Sequence, residues 1–156
     1  MLKPLRVAIV GHGRWGKNIV KTLQKLPECT IAYIEKNDYR NLLPKRDIEA
    51  VIIATPGATH ARVALPFIKK GLPVFIEKPL ATKLTDAKKI KNEAKKSGSL
   101  VFVGHIYRYS NAYEKTRLLS KKIGRIRYLF GEGAGNGPYR DDMSALWDHA
   151  PHDIYS

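Results

Sequence analysis

The chain has 156 residues, of which 44% are hydrophobic, an ordinary composition for a globular protein. A chain of this length can bury about 70% of its unfolded surface and so can form a full core. A single cysteine, Cys29, excludes a disulfide framework, and no apolar run approaches the ~20 residues that span a membrane. No charged and then apolar leader precedes the first apolar run. We therefore expect a cytoplasmic protein.

The net charge of +14 raises nucleic acid as a partner. The densest cluster of lysines, however, falls on one face of a predicted helix whose other face is apolar, which is typical of a solvated surface. No zinc-ligand pair, helix-turn-helix signal or aromatic RNA-binding pattern accompanies it. We do not expect nucleic acid to be the main partner, and a basic field would instead favour a substrate that carries phosphate. The lysines of this cluster are Lys83, Lys88, Lys89, Lys91, Lys95 and Lys96.

The first motif is a glycine loop at residues 11–16, between an apolar run and a helix-like stretch. Gly11 allows a tight turn, Gly13 lacks the Cβ that would collide with a pyrophosphate, and Gly16 lets the helix approach its strand. The phosphates would lie at the N-terminus of the helix, where free N–H groups favour an anion. A glycine turn that merely packs a helix on a strand is the alternative. The candidate cofactor residues of this loop are Gly11, Gly13, Arg14, Trp15 and Gly16.

The residues that follow the loop favour the dinucleotide interpretation. Apolar residues at helical spacing lead to Pro27, and a second predicted strand at 31–34 is closed by Glu35. An acid at this place, roughly 20 residues beyond the glycines, binds the ribose hydroxyls of NAD in a Rossmann domain. We therefore predict that NAD binds in preference to NADP.

Strands and helices alternate through the next part of the chain. Continuous apolar runs at 50–54, 74–76 and 100–103 are typical of parallel strands covered on both faces. Amphipathic stretches between them end at Gly71 and Gly98. The predicted fold is α/β, a Rossmann-type doubly wound parallel sheet, with its ligand at the carboxyl ends of the strands.

Unusual residues follow those strands, and together they resemble the Gfo/Idh/MocA family, which includes glucose-fructose oxidoreductase and inositol dehydrogenase. The resemblance covers the whole chain and rests on G-x-G-x-W-G, A-T-P-x-x-x-H at 54–60, E-K-P at 77–79 and R-Y at 108–109. It implies a cofactor cleft lined by Thr55 and Pro56, with His60, Glu77 and Lys78 close by. For His60 ordinary helix-start chemistry is an equal alternative, and for Glu77 a structural salt bridge is one. Arg108 and Tyr109 resemble a pair on the substrate side.

The segment at 147–153 is similar to the family's D-x-x-x-H element, which implies that Lys78, Asp148 and His152 are catalytic. Oxidation of an alcohol needs a base at the hydroxyl, and a histidine with a pKa near ~6.5 suits this role at neutral pH. Lys78 would stabilise the developing alkoxide and Asp148 would orient the pair. A histidine that caps or packs a helix is the alternative for His152, and His149 is the nearest competing residue.

The resemblance implies an NAD-dependent oxidoreductase that acts on a hydroxyl of a sugar, polyol or nucleotide sugar, with no metal. The alternative is a non-catalytic dinucleotide-binding module.

Two departures from the family matter: residues 36–47 leave a short crossover where the family has a helix and an additional strand, and the chain stops soon after the histidine segment. We predict a cofactor domain at 1–122 and, at 123–156, the incomplete start of an α+β substrate domain. A predicted strand at 123–130 would have an unpaired edge, so we expect this segment to be disordered, to fold back on the Rossmann sheet or to pair with another copy, which makes a homo-oligomer an expectation.

Overall fold

The computed structural model describes residues 3–36, 38–132 and 144–155. Its centre is a five-stranded parallel sheet with the strand order β2-β1-β3-β4-β5. The predicted α/β class and parallel sheet are confirmed. The strands are β1 (Leu5–Val10), β2 (Cys29–Glu35), β3 (Ala50–Ile53), β4 (Val74–Ile76) and β5 (Val101–Val103).

The helices connect strands that run in one direction. β2 lies on one side of β1, and β3 to β5 follow on the other. Because such crossovers are right-handed, helices of connections that run in opposite directions across the sheet lie on its opposite faces. The first helix therefore lies on one face and the next two lie on the other. The helices are α1 (Arg14–Leu23), α2 (His60–Lys69), α3 (Leu84–Ser97), α4 (Asn111–Ser120) and α5 (Ala145–Tyr155).

The core lies between the sheet and α2 with α3. Alternate side chains of β3 and β4, such as Ile53 and Ile76, pack with Phe67 of α2 and Ile90 of α3, and all four are at most 1% exposed. Burial of such side chains contributes about 1.5–3 kcal/mol each. This core fixes the carboxyl ends of the strands, where the loops begin.

In the described part of the short connection between β2 and β3, the chain forms one 3-10 turn, Tyr39–Leu42. Its N-terminus is capped by the carboxylate of Asp38, which accepts a hydrogen bond from the N–H of Arg40 at 3.0 Å. Leu42 and Ile48 are each 4% exposed and join the core. The short crossover is therefore anchored in the core.

The chain divides into two compact units, 1–104 and 105–156. In the second, the hydroxyl of Ser110 caps α4 by accepting from the N–H of Tyr113 at 3.1 Å. The strand predicted at 123–130 is wrong, because the structure gives those residues no strand pairing. A strand is stabilised by a neighbour, and apolar side chains here remain exposed, Leu129 at 82%. The domain boundary at 122 stays a prediction.

Within the described ranges, none of the helices combines the length and the apolar character that crossing a bilayer requires.

Candidate functional site

The glycine loop after β1 is closely packed on its inner side. Gly11 has φ of +98°, and a Cβ there would lie 2.5 Å from the carbonyl oxygen of Ala54. A Cβ on Gly16 would lie 2.1 Å from the carbonyl oxygen of Gly11. These two positions therefore require glycine, one for its backbone angle and both for space.

The outer side of the same loop is open. A Cβ on Gly13 would meet no atom within 4 Å. Gly13 is also the N-cap of α1, and the helix has neither a side-chain cap nor an acid in its first turn. The first N–H groups of a helix lack intrahelical acceptors and attract anions. The loop therefore fits a pyrophosphate above Gly13, and Arg14 and Trp15, which begin the helix, are exposed.

A cavity of about 370 Å³ lies at the carboxyl ends of β1, β2 and β3. Thr55 and Pro56, predicted to line the cofactor cleft, form one side, and the 3-10 turn after β2 forms another. Cavities of about 300–1,000 Å³ hold small organic ligands. The lining residues are Val10, Lys36, Asp38, Tyr39, Arg40, Thr55, Pro56, Thr59, Arg62 and Val63.

Glu35 is at the end of β2, as predicted, but its carboxylate holds the following loop together. One oxygen accepts from the N–H of Asp38 at 3.1 Å and the other from the side-chain amide of Asn41 at 3.2 Å. Glu35 is not among the residues that line the cavity. The contact with a ribose that we predicted for Glu35 stays a prediction.

His60 is buried, and its ring contacts two loops of the site. It is 1% exposed, and its Nδ1 lies 2.7 Å from the carbonyl oxygen of Pro79 and its Nε2 2.8 Å from that of Thr55. The hydroxyl of Thr59 donates to the carbonyl oxygen of Pro56 at 2.7 Å and lies 2.8 Å from the hydroxyl of Thr55. In this structure His60 positions the two loops, a role that sequence reasoning did not single out.

Residues 77–79 follow β4, with a cis peptide bond between Lys78 and Pro79. The half-buried carboxylate of Glu77 accepts a hydrogen bond from the N–H of Lys78 at 3.3 Å. Burial raises the pKa of Glu77, and the bond and charge of Lys78 offset part of that rise. Lys78 is half-buried.

Gly104 makes space for this carboxylate, and sequence reasoning gave it no role. A Cβ on Gly104 would lie 3.2 Å from Oε2 of Glu77 and 2.9 Å from the ring of Phe75. A glycine directly after β5 was the available signal, but only the tertiary structure shows its neighbours.

The second unit carries the remaining predicted residues. Arg108 and Tyr109 belong to an exposed 3-10 helix, Ile106–Tyr109. Burial, and then the charge of Arg108, lowers the pKa of His105. Asp148 and His152 both belong to α5, one helical turn apart. The side chain of His152 lies outside the described part of the structure.

Comparison with known proteins now decides the family. Residues 28–105 match the model of the GFO_IDH_MocA family, described as an oxidoreductase family with an NAD-binding Rossmann fold. The chain belongs to this family.

Individual relatives agree with that assignment. An inositol 2-dehydrogenase of Salmonella paratyphi B is 30% identical, with 96% of this chain matched to 52% of that protein. A solved structure assigned as an oxidoreductase of Magnetospirillum magnetotacticum has a TM-score of 0.87 and 34% identity, over 97% of this chain and 55% of that one. GenD2 from gentamicin A biosynthesis, solved with NAD, has a TM-score of 0.71 and 25% identity, over 77% and 40%. This member of the Gfo/Idh/MocA family spans about half the length of the curated relatives it matches.

Proposed function

We propose that this chain is the cofactor-binding part of a nicotinamide-dependent oxidoreductase that acts on CH–OH groups. The observation that carries the proposal is the glycine loop, closed on its inner side at Gly11 and Gly16 and open above Gly13. It stands beside a cavity large enough for half of a dinucleotide. In this proposal residues 1–122 bind the cofactor and 123–156 begin the substrate domain.

The substrate in this proposal is a hydroxyl of a sugar, polyol or nucleotide sugar. Among these we favour a cyclic polyol first, because matched relatives are inositol dehydrogenases. The binding of such a substrate would need residues beyond the cofactor site, and we assign Arg108 and Tyr109 to that side.

The catalytic residues in this proposal are Lys78, Asp148 and His152. A bound nicotinamide ring would accept a hydride from the carbinol carbon. Nε2 or Nδ1 of His152 would take the hydroxyl proton, and Nζ of Lys78 would stabilise the negative charge that develops on the oxygen. The carboxylate of Asp148 would orient these two groups. His60 would act as a positioning residue, because it links the loop of Thr55 to the loop that carries Lys78.

Calorimetry of the chain with NAD⁺ and NADP⁺ tests the cofactor part of the proposal. We expect Gly13→Val to abolish binding of both, because its side chain would fill the approach above the loop. Gly131→Val is the matched control, since a Cβ there also meets no atom within 4 Å. Binding that survives Gly13→Val would refute the site.

An assay of dinucleotide reduction at 340 nm with inositols, other polyols and sugars tests turnover. The alternative, a dinucleotide-binding module without catalysis, has the same cofactor site and predicts binding with no reduction of the cofactor by any of these alcohols.

A further inference from the structure

The cavity beside the glycine loop is positively charged. Its lining includes the cations Lys36, Arg40 and Arg62 and a single carboxylate, that of Asp38. That carboxylate is already engaged: Nε of Arg40 donates to its two oxygens at 2.8 and 3.1 Å. The charge and bonds of Arg40 hold the pKa of Asp38 below its usual range. Lys36 and Arg62 remain as exposed cations with no ion pair in the described part of the chain.

The position of the cavity indicates which half of a dinucleotide would enter it. A pyrophosphate above Gly13 would lie after β1, and the cavity is lined by Val10 at the end of β1 and by residues that follow β2 at the edge of the sheet. In a Rossmann domain that side takes the adenosine ribose. The other half would extend toward the loop after β4, where Lys78 lies.

The charges around this ribose decide between two cofactors. A free carboxylate at the end of β2 accepts hydrogen bonds from the ribose hydroxyls, whereas an arginine there accommodates a 2′-phosphate. Glu35 is tied into its own loop and Asp38 is bonded to Arg40. Among the described residues, the two carboxylates near the end of β2 thus already hold partners, while Lys36 and Arg62 line the cavity without an ion pair.

We infer that this cavity is a subsite for the 2′-phosphate of NADP, with Lys36 and Arg62 as its ligands and Arg40 as a third cation held by Asp38. The inference rests on the proposed function and deepens it. The three cations and one carboxylate give the cavity a net charge of +2, which balances the charge of about −1.5 to −2 on a phosphate monoester at neutral pH. It replaces the preference for NAD that the sequence predicted from Glu35.

Calorimetry of the full chain with NADP⁺ and NAD⁺ tests the inference, with adenosine 2′,5′-bisphosphate and adenosine 5′-monophosphate as a pair that differs only in the 2′-phosphate. We expect the phosphorylated member of each pair to bind at least about tenfold tighter. Lys36→Gln and Arg62→Gln should each weaken NADP⁺ about tenfold and change NAD⁺ by less than about twofold. Lys69→Gln is the matched control, an exposed cation of α2 outside the cavity.

The outcomes distinguish failure of the 2′-phosphate subsite from failure of the proposed function. Equal affinities, or tighter binding of NAD⁺, would overturn the 2′-phosphate subsite and leave the oxidoreductase proposal standing. An equal loss for both dinucleotides in Arg62→Gln would overturn the role of Arg62 in the same way. If neither dinucleotide binds, the proposed function and the subsite both fail. All three substitutions are at exposed positions, so the folded state persists in each variant.

Discussion

Nδ1 of His60 lies 2.7 Å from the carbonyl oxygen of Pro79, across a sequence separation of 19 residues. This contact, with its counterpart at Thr55, joins the loops after β3 and β4 through one buried ring. The geometry at Lys78 therefore depends on a residue that begins the neighbouring helix.

Replacement of His60 by phenylalanine should destabilise the fold by about 1–3 kcal/mol, because a buried carbonyl group would lose the N–H donor of the ring. Urea denaturation measures this, with Lys69→Gln on the same helix as the control. Dinucleotide affinity should fall as well, since Thr55 and Lys78 would lose their fixed separation. A His60→Phe variant as stable as the wild type would show that the ring of His60 does not hold the two loops together.

The three glycines of the loop should respond differently to alanine. Gly16→Ala should cost more than about 2 kcal/mol of unfolding free energy, because its Cβ would overlap the carbonyl oxygen of Gly11. Gly11→Ala should also destabilise, through its positive φ. Gly13→Ala should leave stability within about 0.5 kcal/mol of the wild type and weaken cofactor binding. Thermal unfolding and calorimetry together give this pattern; equal stabilities for the three variants would refute it.

Stability should depend on pH through Glu77. Its pKa in the folded state is above the ordinary value of 4.5, chiefly because of burial, so the folded chain binds this proton more tightly than the unfolded chain does. The free energy of unfolding should therefore decrease as pH rises from about 4.5 through the folded pKa. Glu77→Gln should remove this part of the slope, whereas Glu28→Gln, at an exposed position, should retain it. Identical slopes for Glu77→Gln and the wild type would exclude this origin.

The catalytic proposal gives a separate prediction for any preparation that turns over. Lys78→Met should reduce turnover by a factor on the order of 10² or more and leave cofactor affinity unchanged, because the lost charge acts mainly in the transition state. His152→Ala should remove the acidic limb of the pH–rate profile. His149→Ala is the control on the same helix. If His149→Ala is the damaging change and His152→Ala is harmless, the assignment of the base is wrong.

The parts of the fold that sequence predicted correctly are those set by local pattern. The apolar runs, the glycine loop and the helix ends at Gly71 and Gly98 depend on neighbours within a few residues. Glu35 was placed correctly at the end of its strand, but the direction of its carboxylate depends on Asn41 in a loop without periodicity. The cavity brings together Lys36 from the loop after β2 and Arg62 from α2, which no local pattern reports.

The wrong strand at 123–130 has a related cause. Alternating apolar residues such as Ile126 and Tyr128 give a segment the preference for extended structure. They do not supply the second strand that a ladder requires. A sequence pattern describes the segment and is silent about its partner.

Residues of the 3-10 turn after β2 have two different roles. Leu42 is 4% exposed and anchors the turn in the core, while Arg40, within the same turn, is exposed at the cavity. A change at Arg40 or Lys36 alters the charge that a ligand meets without disturbing the anchor. The preference between NAD and NADP can therefore change, in evolution or by design, through surface substitutions that have little effect on the free energy of unfolding.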